Sequence, residues 1–148
     1  MKTVLAPIDS SAAASDVVSV AGALAQALNA QVVLLTIVQP PVFTAEYTAI
    51  LENIAELTAI GERTAEKYLG KWKDTLVAQG ITVETAQFVG SPVVHIIEQA
   101  NKHDADYIVI GSHGHTAFYD LLVGSTTHGV VKRTHCPVVV VPPKKKTA

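Results

Sequence analysis

The sequence predicts an α/β domain: a single open sheet of five parallel strands with helices on both faces. Three observations carry this. Short, continuous apolar runs recur along the chain, as in strands covered on both faces. Between them stand segments with helical periodicity or helix-start signals. Strict alternation of the two makes right-handed crossovers and a parallel sheet the economical arrangement. With 148 residues and 49% hydrophobic content, the chain can bury one core, and residues 1–148 are expected to form one domain.

The first run, residues 3 to 8 (TVLAPI), stops at Asp9 and a cluster of small polar residues. Small and apolar residues from Ala12 to Leu28 suit a helix packed closely on a sheet, with Ser10 or Ser11 as candidate caps and a stop near Asn29. Residues 31 to 38 (QVVLLTIV) are β-branched and continuously apolar, hence a buried strand. From about Glu46 to Val77, Ile50, Ile54, Leu57, Ile60 and Leu69 recur at helical spacing, predicting a long amphipathic helix bent near Gly61. Residues 81 to 88 (ITVETAQF) alternate apolar and polar side chains, as a strand near the sheet edge does. Ser91 and Pro92 then stand where a cap and a first helical residue belong, opening a helix to about Lys102. Residues 106 to 110 (DYIVI) are a buried strand, STTHGVVKRT a short helix, and 137 to 141 (PVVVV) the last strand.

Composition excludes several roles. The formal net charge is −2 and the pI about 6.3, so there is no broad basic surface for nucleic acid, and Lys144–Lys146 reads as part of a flexible basic tail over about 143–148. Pro7, Asp9 and Asp16 interrupt the N-terminal stretch before it reaches the apolar length of a secretory signal. No window approaches the ~18 apolar residues of a membrane span. The single cysteine, Cys136, rules out an internal disulfide and reads as a small buried residue; the cytoplasm is the expected compartment.

Chemistry concentrates in the loop after the fourth strand. Gly111 and Gly114 are followed, nine residues on, by Gly124 and Ser125, a GxxGx(9)GS pattern. The first two glycines let the backbone turn and approach a ligand with no Cβ in the way. Gly124, Ser125, Thr126 and Thr127 then open a helix whose first N–H groups lack partners, so dipole, free donors and hydroxyls form an anion site. The alternative is a connector whose glycines only turn. Neither GxxxxGK[ST] nor a GxGxxG after the first strand is present.

Taken together, VLAPIDSS, VVLLTIV, VVHIIEQANKHDADYIVIGSHG and VGSTTHGVVKRTHCPVVVVP resemble the universal stress proteins over essentially the whole chain. The resemblance implies a Rossmann-like five-stranded sheet of order 3-2-1-4-5, a homodimer, and, because GxxGx(9)G[ST] is retained, ATP binding. It implies that Pro7, Ile8 and Asp9 line the adenosine side, Asp9 near the ribose or a magnesium ion, and that Val38 contacts adenine. Ile110, Gly111 and Gly114 would approach the ribose and α-phosphate, and Gly124, Ser125, Thr126 and Thr127 would hold the β- and γ-phosphates. His115 joins the set where relatives often carry a basic residue, so magnesium or the nearby Lys132 and Arg133 would supply the missing positive charge. Asp9 is equally placed to cap the next helix, and the two roles are compatible.

A zinc-type reading of His113, His115 and His128 lacks a carboxylate or cysteine at matching spacing; His95 and His103 read as structural. No lysine or arginine within the loop completes a phosphoryl-transfer site, so the expectation is a nucleotide-binding regulator read by a downstream protein, with at most slow ATP hydrolysis. A hydrolase, a phosphotransferase or a nucleotide-free scaffold is the alternative. Residues Pro137–Pro142, a β-branched strand at the probable sheet edge, are expected to pair with their twin in a homodimer.

Overall fold

The computed structural model describes residues 1–40, 50–113 and 123–143. The described elements are β1 (Lys2–Pro7), α1 (Ala14–Leu28), β2 (Ala30–Val38), α2 (Ile50–Ala78), β3 (Val83–Val89), α3 (Pro92–Lys102), β4 (Tyr107–Gly111), α4 (Ser125–Arg133) and β5 (Val138–Val141). All strand pairs are parallel, in the order β3-β2-β1-β4-β5. The expected sheet order and layering are therefore met. The tail from residue 144 and the start of the long helix before residue 50 lie outside the described residues.

The pleat sends alternate side chains of each inner strand to opposite faces. Val4, Ala6, Val32, Leu34 and Val109 meet α1 and α2 on one face. Leu5, Val33, Leu35, Ile108 and Ile110 meet Ile96 and Ala100 of α3 and Val130 of α4 on the other. That double cover is why these strands read as unbroken apolar runs. Asn29 ends α1 in the left-handed region, φ 52°, as a C-terminal cap does.

Several local expectations need correction. The N-cap of α1 is Ala13, with no side-chain cap bond. Neither Ser10 nor Ser11 caps it; Asp9 Oδ1 accepts the Ser11 N–H at 2.9 Å, so the carboxylate caps a turn ahead of the helix. Ser91 does sit at the N-cap of α3 with Pro92 following, yet its hydroxyl makes no cap bond. α2 runs unbroken through Gly61. A Cβ there would lie 2.9 Å from Val38 Cγ1, so glycine lets the helix close on the end of β2. Leu57 and Ile60 are 48% and 51% exposed despite their apparent helical spacing; Ile60, nine residues before the buried Leu69, is turned to the opposite side of the helix. Gly129 in α4 is likewise a packing contact, since a Cβ would stand 2.8 Å from Val93 Cγ2.

Candidate functional site

In an open parallel sheet ligands bind beyond the carboxyl ends of the strands, where the winding reverses. A cleft of about 790 Å³ opens at that place, between the ends of β1, β2 and β4 and the start of α4. A smaller cavity of about 240 Å³ lies between α2 and β3; it is remote from the strand ends and gathers none of the residues singled out above.

At one end of the cleft stand Pro7, Ile8 and Asp9 from the end of β1 and Val38 from the end of β2. At the other end are Ile110, Gly111, Gly124, Ser125, Thr126 and Thr127. Gly114 and His115 lie outside the described residues. Residues over a hundred positions apart in sequence thus share one cleft, and the wall facing them comes from α2 and α3.

The α4 end is built from backbone. Gly124 donates its N–H to the Ser112 carbonyl at 2.6 Å, and Thr127 Oγ1 donates to the Gly111 carbonyl at 2.7 Å. These two bonds dock the start of α4 on the end of β4. The first bond along the helix is His128 N–H to the Gly124 carbonyl, so the N–H groups of Ser125, Thr126 and Thr127 precede the helical ladder and project from its positive end. Thr127 is 2% exposed and its hydroxyl proton is spent on Gly111, so it can offer an anion only its N–H. Gly124 has ordinary dihedrals, φ −70° and ψ 167°; its value is the absent side chain, since the backbone there needs no special freedom.

The other end is built from side chains. Thr36, 1% exposed near the carboxyl end of β2, donates its hydroxyl proton to the Ile8 carbonyl at 2.8 Å. Its oxygen is also hydrogen-bonded to the Tyr68 hydroxyl. Because a carbonyl cannot donate, Thr36 must be the donor to Ile8, and Tyr68 the donor to Thr36. Burial pushes the Tyr68 phenol above its ordinary 10.0, and the charge of Asp9 adds to the rise.

Tyr68, with Gly61 and Thr64 of the same helix, lines the cleft. Sequence reasoning missed all three. The available signal was Thr36, a lone hydroxyl within an apolar buried strand, which requires a partner; nothing in the sequence says which.

Among the described cleft-lining residues Asp9 is the sole carboxylate, and none is lysine or arginine. Lys132 and Arg133 belong to the last turn of α4, roughly 10 Å of helix rise from its start, so they do not face the cleft end that needs charge. His113 lines the cleft and its Nδ1 lies 3.1 Å from Ser112 Oγ, while His128 is exposed. No group of three metal-ligating side chains occurs among the described residues. His95 stacks on Phe88 with ring centroids 4.9 Å apart, and His103 Nδ1 lies 3.6 Å from Glu84. No helix among the described residues is long and apolar enough to cross a membrane.

The arrangement matches known proteins. Residues 1–142 match the model of the universal stress protein family. A universal stress protein of Methanocaldococcus jannaschii is 37% identical over 95 residues, 64% of this chain and 54% of the relative. The chain spans about half the length of three curated relatives it matches. Among solved structures, UspA from Lactobacillus plantarum superposes with a TM-score of 0.85 at 27% identity, covering 95% of this chain and 97% of that one. A universal stress protein solved in complex with cAMP gives 0.67 at 27% identity, with 95% and 97% covered. A family model that matches nearly from end to end, and full-length neighbours that share the sheet and its layers, place the chain in the universal stress protein family.

Proposed function

We propose that this protein binds an adenine nucleotide, ATP with magnesium foremost, and acts in the cytoplasm as a stress-response regulator whose occupancy is read by a downstream protein. The observation that carries this is the pairing, in one cleft, of unladdered N–H groups at the start of α4 with an apolar pocket at the ends of β1 and β2. Helix-terminal donors suit phosphate, and Ile8, Ile37 and Val38 suit a base. The neighbour solved with cAMP, at 27% identity, supports an adenosine-containing ligand.

Pro7, Ile8, Asp9 and Val38 take the nucleoside; Ile110 and Gly111, with Gly114, take the ribose and first phosphate; Gly124, Ser125, Thr126 and Thr127, with His115, take the outer phosphates. Asp9 has one oxygen engaged by Ser11, which leaves the other for a ribose hydroxyl or for magnesium. A magnesium ion held by one carboxylate takes its remaining ligands from phosphate and water. Among the described lining residues there is no lysine or arginine to stabilise the charge of phosphoryl transfer at the γ-phosphate. The reading is therefore a binder with at most slow hydrolysis.

The test is to purify the protein, release any ligand with acid, identify it by chromatography, and titrate the emptied protein with ATP and magnesium in a calorimeter. Adenine nucleotide near one per chain, or saturable binding, is the expected result; no ligand and no heat would remove the reading. A timed ADP assay then measures turnover.

The homodimer is proposed through Pro137–Pro142. Among the described strands β5 pairs with β4 alone, leaving an apolar edge that is a hazard unless covered, and a twin strand would cover it. A monomer by light scattering at micromolar concentration would count against that assembly.

A further inference from the structure

Past Pro7 the β1 backbone is still held to β2, but by a different device. The Ile8 N–H donates to the Leu35 carbonyl at 2.8 Å, as a ladder bond would. The Ile8 carbonyl, in contrast, takes its proton from the Thr36 side chain, which in turn takes one from Tyr68. Two bonds on one residue leave the Ile8–Asp9 peptide little freedom, and Asp9 follows directly, its carboxylate further tied by the Ser11 N–H.

We propose that Tyr68 is a positioning residue for the bound nucleotide: acting through Thr36, it fixes the Ile8–Asp9 peptide so that the Asp9 carboxylate faces the nucleoside. The inference rests on the adenine-nucleotide reading above and names the group that orients its carboxylate. Both links are nearly or half-buried, where a hydrogen bond is stronger than in water and a lost partner is felt along the chain of bonds. Because the relay serves the nucleoside end, its loss should weaken AMP and ATP by the same factor.

The decisive variant is Tyr68→Phe, which keeps the ring in the cleft wall and removes only the donor. The expected loss is about five- to tenfold in the Kd of both AMP and ATP with magnesium, measured calorimetrically on protein with intact circular dichroism. Thr36→Val breaks the same relay from its other side, and the double variant should lose little more than the worse single one. A purely structural role would lower the melting temperature while leaving Kd at its wild-type value. For a direct reading, the protein is labelled with 3-fluorotyrosine; of its four tyrosines, the one whose fluorine signal is missing in Tyr68→Phe is Tyr68. That signal should shift on adding AMP and saturate at the calorimetric Kd. Wild-type protein that binds no nucleotide overturns the nucleotide reading and this inference together. Wild-type binding with an unchanged Kd in folded Tyr68→Phe, or a Tyr68 signal indifferent to AMP, overturns this inference alone.

Discussion

The two ends of the cleft are made of different materials. At the α4 end the working groups are main-chain N–H donors from three consecutive residues, aimed by a helix that two hydrogen bonds dock on β4. At the β1–β2 end they are the Asp9 carboxylate and the Tyr68 ring, linked through the Thr36 hydroxyl and the Ile8 main-chain carbonyl. Backbone donors survive every substitution except proline, so an ordinary side-chain change can only cover them. A side-chain relay can be cut one atom at a time. The first end should therefore fail by obstruction and the second by loss of orientation.

The largest effect belongs to obstruction. In Gly124→Val the added Cβ would lie 3.4 Å from the Ser112 carbonyl oxygen, an ordinary contact, and φ of −70° suits any residue. The fold should survive while the branched γ-carbons cover the first N–H groups. Affinity for ATP should fall by about 100-fold, the scale of losing one or two charge-assisted hydrogen bonds, and AMP should lose less. A folded Gly124→Val protein with wild-type ATP affinity would end the idea that this helix start holds phosphate.

Next in size is the contact that closes the other end. Gly61→Ala sets a Cβ 2.9 Å from Val38 Cγ1, whereas Gly70→Ala in the same helix meets nothing within 4 Å. Both gain up to about 1 kcal/mol of helix propensity, but only the first bears an overpacking cost of roughly 1–3 kcal/mol. The difference between the two in urea denaturation isolates the approach of α2 to β2. Equal stabilities would mean that the helix does not close on the strand end.

The burial of Tyr68 also predicts alkaline behaviour. A phenol held above its usual range in the folded state and ordinary when unfolded favours folding below pH 10.0. That contribution declines as pH rises from there through the folded-state value. Tyr68→Phe should flatten this part of the stability profile, measured by denaturation at stepped pH; an identical slope in the variant would place the titration elsewhere.

The same contrast explains what could be read from sequence. The alternation of strands and helices and the α4 end were legible because their signals are contiguous: apolar runs such as VVLLTIV, and the spacing of Gly111, Gly114, Gly124 and Ser125; the strand order came from the resemblance to the universal stress proteins. The relay was not legible, since Thr36 and Tyr68 stand 32 residues apart and meet only once α2 folds over β2. Periodicity also misjudged Leu57 and Ile60. Ile60 and the buried Leu69 stand nine residues apart, half a turn round the helix, so one face cannot hold both. The caps at Ser10 and Ser11 failed for a local reason: Asp9 took the Ser11 N–H, and the helix began later.

The smallest expected effect is Ser125→Ala, and it sharpens the comparison most. Gly124, not Ser125, is the N-cap of α4, so no capping energy is lost, and Ser125 is exposed. Stability should stay within about 0.5 kcal/mol of wild type, as for a surface substitution away from caps and core. If the donors that matter are main-chain, ATP affinity should fall only about two- to fivefold, the scale of one net hydrogen bond from a hydroxyl. AMP, lacking the outer phosphates, should be indifferent. The pattern to measure is the ratio of ATP to AMP affinity, by calorimetry, in Ser125→Ala against Tyr68→Phe. The first should lower the ratio modestly, while the second leaves it constant as both affinities drop. A Ser125→Ala loss as deep as that of Gly124→Val would instead assign phosphate recognition to the hydroxyl, and the division of the cleft into a backbone end and a side-chain end would not hold.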